Sequence, residues 1–332
     1  MVIDMEHGGN VWEGGAPGRW LDFSANLRPE GTPQWVMRAM REALCDTRYY
    51  PDSAMTGARK GLADYAGVSP DCILPTAGGA AAIDLTLSLG MGSVFVQQPT
   101  FGEYAKRAAV HGRRTFFWNG RCQKGDAVVR CNPNNPTGEA LSRSEILATH
   151  EMVVSSGADL IIDEAFIDFC PQHSVRRDVK PGLMVVGSLT KTLCMPGVRL
   201  GYVCAAPEVI GKLSQCALPW AVSTLAQAVA AKLPEHLDEI RQDAAVSSIR
   251  KEALKASLEA LGAKVLPSQA NFLLADFGRD MTQAAVRLKA RGILVRTCAS
   301  FGLAPGIWRL AVKTEEENAR LIACLQEVLH AG

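Results

Sequence analysis

Ala127-Val-Val-Arg-Cys131, Asp159-Leu-Ile-Ile-Asp163 and Met184-Val-Val-Gly-Ser188 are three almost uninterrupted apolar runs, and Arg143–Ser156, between the first two, carries helical spacing instead. Short continuous runs of this kind are read as strands buried on both faces, which is the condition of a parallel sheet covered by helices. Working outward, Ser93–Gln97, Thr115–Trp118 and Gly201–Ala205 repeat the strand pattern, and Gly102–His111 repeats the helical one. Strands alternating with helices over about 70–205 predict an α/β fold. Ligands of such sheets sit beyond the carboxyl ends of the strands. The polar residues that directly follow each run are therefore the candidates for chemistry.

From about 207 the pattern becomes a long helical stretch, broken near Pro234 and resuming over 236–261. Strand candidates follow at Asn271–Asp276, Ile293–Arg296 and Trp308–Val312. Thr314 with Glu317 predicts a capping box for a last helix, whose Leu321, Leu325, Val328 and Leu329 share one face. This part reads as a second, smaller α+β unit. The first 35 residues, rich in Gly and Pro, show no strong period and are expected to run over the surface of either unit. With 35 basic and 34 acidic residues the net charge is +1, which gives no footprint for nucleic acid or an anionic membrane. No apolar run approaches the roughly 18 residues of a membrane span, and the N-terminus lacks a basic-then-apolar leader pattern. The ten cysteines contain no C-x-x-C pair and the six histidines no H-x-x-x-H, so the chain is expected to be a cytoplasmic protein with reduced thiols and no metal.

Ser188-Leu-Thr-Lys191 ends one strand and is followed by Pro196-Gly-Val-Arg199-Leu-Gly-Tyr202. A lysine just past a buried strand can lose hydration, lower its pKa and offer a neutral amine for Schiff-base chemistry. Arg199, Ser188 and Thr190 could hold a phosphate there. The plainer reading packs the lysine stem over the sheet with its head in water. Asp163 at its strand end suits the partner of a pyridinium nitrogen, or equally an ion pair. In Asn132-Pro-Asn134-Asn135-Pro136-Thr-Gly138 the two prolines would hold the Asn135 amide rigidly, although the segment also reads as a turn. Gly78-Gly79-Ala80-Ala81 opens a helical run and could present N–H groups to phosphate, or simply start a helix. Phe101 and Tyr104 could stack on a flat ring or belong to the core. Arg296 and Arg309 lie on small-unit strands, where either can bind carboxylate or phosphate in a fork, or face solvent.

In their order, TAGGAAAI, PTFGEY, NPNNPTG, DEAF, SLTK and PGVRLGY resemble the fold-type I pyridoxal-phosphate enzymes of the aspartate aminotransferase superfamily, over nearly the whole chain. Within it, His7-Gly-Gly-Asn10, Leu21-Asp-Phe-Ser-Ala-Asn26-Leu-Arg-Pro, Tyr49-Tyr50-Pro51-Asp52 and DEAFIDF (163–169) are similar to the L-threonine-O-3-phosphate decarboxylases, which serve cobalamin biosynthesis, with histidinol-phosphate aminotransferases close by. The resemblance implies a large domain over 36–230, built on a mostly parallel seven-stranded sheet, and a smaller α+β domain formed by 1–35 and 231–332. It implies pyridoxal 5'-phosphate as cofactor, a phosphorylated amino acid as substrate, and a homodimer with shared sites.

The same resemblance assigns roles. Lys191 matches the cofactor-bound lysine, Asp163 the partner of the ring nitrogen and Asn135 the donor to the phenolic oxygen. Ser188, Arg199, Gly79 and Ala80 match the phosphate cradle, and Phe101 the stacking ring. Tyr50 matches a tyrosine that reaches the other subunit's cofactor phosphate. Arg309 matches the substrate-carboxylate arginine, and His7, Asn26 and Arg296 match residues that hold the substrate, its phosphate above all. Phe166 stands where many aminotransferases have a tyrosine, so Asn135 is expected to bond the phenolic oxygen alone. Gly78-Gly79-Ala80 lacks the polar residue common in relatives, and the Trp118–Asn132 segment is shorter, without a surface helix. The implied reaction is loss of CO2 from L-threonine O-3-phosphate. Transamination of histidinol phosphate or a related amine is the alternative, and a non-catalytic cofactor-binding regulator is the least consistent with the intact residue set.

Overall fold

Leu160, Ile161 and Ile162 are all buried, yet they belong to two different cores. Leu160 and Ile162 pack with Val128 and Val185 on one side of a sheet, whereas Ile161 packs with Val129, Met184 and Val186 on the other. Burial on both faces is the reason these strands read as continuous apolar runs and not as alternating ones. The computed structural model describes residues 7–13 and 15–330.

The main sheet has seven strands in the spatial order Ile73–Thr76, Gly201–Ala205, Leu183–Ser188, Asp159–Asp163, Ala127–Cys131, Val94–Val96 and Thr115–Phe117. All neighbours run parallel except at Gly201–Ala205, which is antiparallel to both strands beside it. The helices Gln34–Ala43, Thr56–Ala66, Arg143–Ser155 and Thr224–Lys232 cover one face. The helices Gly79–Ser88, Glu103–Val110 and Pro207–Cys216 cover the other. Ser142 caps Arg143–Ser155 through a capping box with Glu145. Between Phe117 and Ala127 the chain runs as a loop without a helix, in keeping with the shortness of that segment.

A second core surrounds an antiparallel sheet ordered Arg296–Thr297, Ile307–Ala311, Phe272–Asp276, Lys264–Val265. Leu254 and Leu258 of the helix Leu237–Ala260, Leu288 of Thr282–Ala290, and Leu321, Leu325 and Val328 of Glu315–His330 fill it. Thr314 and Glu317 form the expected box: Glu317 N–H donates to Thr314 Oγ1 at 3.2 Å and Thr314 N–H to Glu317 Oε2 at 3.1 Å.

Four expectations need correction. Residues 21–26 do not merely cross the surface: Leu21–Asp22 is a strand parallel to Ile293–Leu294, Phe23 is wholly buried in the second core, and Ser24 and Asn26 are buried too. Ile293–Arg296 is not one strand. Its first two residues pair with Leu21–Asp22, while Arg296–Thr297 turns to pair with Ile307–Ala311. The helical stretch after 207 breaks at 217–223 as well as near Pro234; Pro219 cannot continue a helix, and Ser223 caps the next one. The strand Ile73–Thr76 has to be added to the strand candidates, which did not include it; its Pro75 is tolerated because the strand lies at the sheet's edge. Among the described residues no helix is long and apolar enough to cross a membrane.

Candidate active site

The strand ends Cys131, Asp163 and Ser188 open into one cavity of about 610 Å³. Its opposite wall comes from the second sheet and from residues 7–26. The cavity brings together His7, Asn26, Gly79, Ala80, Phe101, Asn135, Asp163, Ser188, Lys191, Arg199, Arg296 and Arg309. Tyr50 alone of the expected residues lies elsewhere. It is 79% exposed, with its ring 4.6 Å from that of Trp220.

One end of the cavity is built only from donors. The helix Gly79–Ser88 starts there, so its first N–H groups have no partner within the helix and carry the positive end of its dipole. Gly78 has φ +86°, and a Cβ on it would lie 2.7 Å from Arg199 Nη2. A Cβ on Gly79 would lie 3.2 Å from that of Ser188. The two glycines therefore let the helix start approach both side chains. Ser188 Oγ and Thr190 Oγ1 are 2.8 Å apart, and Arg199 is held at φ +65° with Nη1 donating to Pro196 O at 3.0 Å. Amides, hydroxyls and a guanidinium with no carboxylate among them suit a phosphate group.

At the centre, Asp163 is buried and accepts hydrogen bonds from Tyr104 Oη at 2.7 Å and from Ala165 N–H at 3.0 Å. Burial pushes its carboxyl above the usual range; the two hydrogen bonds and the nearby Lys191 ammonium oppose that. Burial, with Arg309 and Arg199 adding repulsion, brings the Lys191 amine down to about 8. Tyr104 and Phe101 both border the cavity, but the Tyr104 ring is fully buried with its hydroxyl bonded to Asp163, whereas Phe101 is only partly buried.

The opposite wall is dominated by two arginines in register on neighbouring strands, Arg296 opposite Arg309. Arg309 is buried and donates through Nη1 to Asn135 Oδ1 at 2.6 Å and through Nη2 to Ser24 O at 2.6 Å. Because Asn135 Oδ1 is taken, its Nδ2 donor is the end offered to the cavity. Burial and the adjacent Arg296 pull the Arg309 guanidinium down to about 10. Arg296 donates through Nη2 to Ser300 Oγ at 2.7 Å and lies 5.4 Å over the Phe301 ring. Arg309 Nε and Asn26 Oδ1 are buried polar atoms without a hydrogen-bond partner among the described residues. Near the mouth, His7 Nε2 is 3.0 Å from Glu103 Oε1, which also lies 3.5 Å from Lys106 Nζ.

An all-donor cradle, a buried carboxylate, a lysine with a lowered pKa, a fixed asparagine and an aromatic wall are the parts a pyridoxal phosphate needs, so the site fits that group. The sequence pattern of the family described as aminotransferase class I and II matches residues 19–325. The chain belongs to that family. It is 32% identical to the threonine-phosphate decarboxylase of Salmonella typhimurium, over 99% of this chain and 98% of that one. It is also 28% identical to the histidinol-phosphate aminotransferase of Symbiobacterium thermophilum, over 94% and 91% of the two chains. The solved structure of the histidinol-phosphate aminotransferase from Clostridium acetobutylicum shares the fold with a TM-score of 0.85, at 24% identity over 93% of this chain and 99% of that one. The protein is a pyridoxal-phosphate-dependent enzyme of the fold-type I class.

Ser24, Ser300, Phe301 and Glu103 went unnoticed in the sequence. Ser24 acts through its backbone carbonyl, which leaves no mark in a side-chain pattern, and Ser300 and Phe301 follow Arg296 in a short 3-10 turn without periodicity. Glu103 had a usable signal, since it opens a helix at the end of the PTFGEY stretch.

Proposed function

We propose that the enzyme decarboxylates L-threonine O-3-phosphate to (R)-1-amino-2-propanol O-2-phosphate in cobalamin biosynthesis. The observation that carries this reading is the paired arginines, which provide two anion-binding positions on one wall for a substrate with both a carboxylate and a phosphate. The likeness to the Salmonella typhimurium enzyme supports it.

When bound, the cofactor supplies an electron sink for the carbon left behind by the departing carboxylate. Asp163, kept anionic by Tyr104 and Ala165, holds the proton on the ring nitrogen. The helix start at Gly79 and Ala80, with Ser188 and Arg199, binds the cofactor phosphate, and Phe101 covers the ring. Asn135, turned by Arg309, donates to the phenolic oxygen without help from Phe166. Lys191, with its pKa near 8, offers a neutral amine close to neutral pH and afterwards a proton for the substrate carbon. Arg309 takes the substrate carboxylate, deep beside Asn135. Arg296, His7 and Asn26 take the substrate phosphate. Fixing both anionic ends determines which bond at the substrate carbon faces the electron sink, and so selects loss of CO2.

The enzyme is further proposed to work as a cytoplasmic homodimer. Ten free cysteines suit a reducing compartment. Tyr49, Tyr50, Leu218 and Trp220 leave an exposed apolar patch that a second copy would cover, carrying Tyr50 to the partner's cofactor phosphate.

Transamination of histidinol phosphate or a related amine is the competing reading, favoured by the likeness to the Symbiobacterium thermophilum enzyme. Incubation with pyridoxal phosphate and L-threonine phosphate, with and without 2-oxoglutarate, separates the two. CO2 and aminopropanol phosphate should form at the same rate in both mixtures. Glutamate formed only when the oxo acid is present, with no CO2, would overturn the decarboxylase reading.

A further inference from the structure

Within the Asp163–Phe169 stretch, Asp168 takes no part in the scheme above, yet it sits at the centre of a hydrogen-bonded network that reaches Thr192, the residue after Lys191. Its side chain is 8% exposed. Oδ1 accepts a hydrogen bond from Tyr65 Oη at 2.5 Å, Oδ2 accepts one from Thr192 Oγ1 at 2.7 Å, and Arg176 Nη1 lies 3.6 Å from Oδ1. The carboxylate is itself fixed, because its donors are fixed. Tyr65 belongs to the helix Thr56–Ala66, and the Arg176 guanidinium lies 4.4 Å over the Tyr65 ring and 3.4 Å from Tyr202 Oη.

Thr192 is the residue after Lys191, and the loop they share is neither strand nor helix. On its other side the loop is tied to the N-terminal segment: Arg28 N–H donates to Lys191 O at 3.2 Å and Thr32 Oγ1 to Cys194 O at 2.7 Å. The Thr192–Asp168 bond joins the loop to the turn Ile167–Phe169 and, through Asp168, to Tyr65 and Arg176, beside the packing of Leu189, Leu193 and Met195 in the core on one face of the main sheet. A lysine side chain has four rotatable bonds, so the direction in which its amine points depends on how firmly its backbone is held.

We propose that Asp168 is a positioning residue that, through Thr192, fixes the backbone from which Lys191 reaches the cofactor aldehyde. This rests on the reading of Lys191 as the cofactor lysine. Thr192→Val keeps the shape of the side chain and removes the donor; Thr192→Ser keeps the donor.

Two readouts follow, neither of them turnover. The first is the affinity of the cofactor-free protein for pyridoxal phosphate. The second is the rate of reductive methylation of Lys191 relative to the exposed Lys289 in the cofactor-free protein, measured by peptide mass spectrometry. Thr192→Val should bind the cofactor about tenfold more weakly, as expected for a lost hydrogen bond to a charged group, and should methylate Lys191 faster than wild type. Thr192→Ser should restore both to within about twofold. Wild-type values in Thr192→Val, or a Ser variant no better than the Val variant, would overturn the proposal. A lower melting temperature with unchanged Lys191 methylation would reduce the network to a purely structural one and also overturn it. If borohydride fixes the cofactor of the wild type at a residue other than Lys191, the underlying reading fails, which is a different result from any of these.

Discussion

The two walls of the cavity are made in different ways. On the sheet wall, Asn135, Asp163, Ser188 and Lys191 each lie on or just after the carboxyl end of a parallel strand, so the topology alone brings them together. On the facing wall, Arg309 donates to the carbonyl of Ser24, 285 positions away in the chain, and Arg296 reaches its place by a turn out of one strand pairing into another. The first wall follows from a repeated local rule, the second from tertiary contacts that no local rule announces. In the proposed function the division is also chemical: the sheet wall holds the cofactor and the facing wall chooses the bond.

Substitutions on the facing wall should therefore damage turnover and spare the cofactor. Arg309→Ala removes the buried cation proposed to bind the substrate carboxylate, so kcat/KM for L-threonine phosphate should fall by about a hundredfold or more. Arg296→Ala should cost somewhat less, because in the proposed function His7 and Asn26 share the substrate phosphate with it. Steady-state kinetics beside a titration of pyridoxal phosphate affinity checks this. Loss of cofactor affinity in step with turnover would dissolve the distinction between the walls.

A milder change on the sheet wall sharpens the comparison. Tyr104→Phe deletes the bond that lowers the pKa of Asp163, leaving burial less opposed. The carboxylate then takes up a proton at higher pH, so the acid limb of the kcat profile should move to higher pH, with a loss of about tenfold or less at neutrality. An unmoved acid limb would separate Tyr104 from the ring-nitrogen partner.

The smallest effect concerns stability without cofactor. The amine of Lys191 titrates near 8 in the folded chain, against an ordinary value of 10.5. Below pH 8 it is charged in both states and its burial destabilises the fold. Between 8 and 10.5 the unfolded chain holds more protons, so wild-type stability rises with pH. Lys191→Met should therefore raise the melting temperature of the cofactor-free protein at pH 7 by a few degrees. That advantage should fade as the pH climbs from 8 to 10.5. A pH-independent difference would mean that the lysine is not desolvated.

The contrast between the walls also explains what could be read before the fold was known. Asp163 and Lys191 were legible because continuous apolar runs mark strands buried on both faces, and the residue after such a run has few places to go. The α/β class followed from the same runs. Residues 21–26 were not legible, since a two-residue strand has no period; only the family resemblance picked out Asn26 there. The place of Tyr104 beside Asp163 was not legible from the residues alone, because sequence gives its spacing from Phe101 but not which of the two rings turns into the core; only the resemblance favoured Phe101 for stacking. The division of Ile293–Arg296 between two sheets was equally hidden, although it is what sets Arg296 beside Arg309.

The most direct test of the account is to load the wild type with pyridoxal phosphate, reduce it with borohydride, digest it and locate the added mass. The account predicts a pyridoxyl group on Lys191 alone, and no trapped cofactor in Lys191→Ala. A label on another lysine, or equal labelling of the alanine variant, would contradict it.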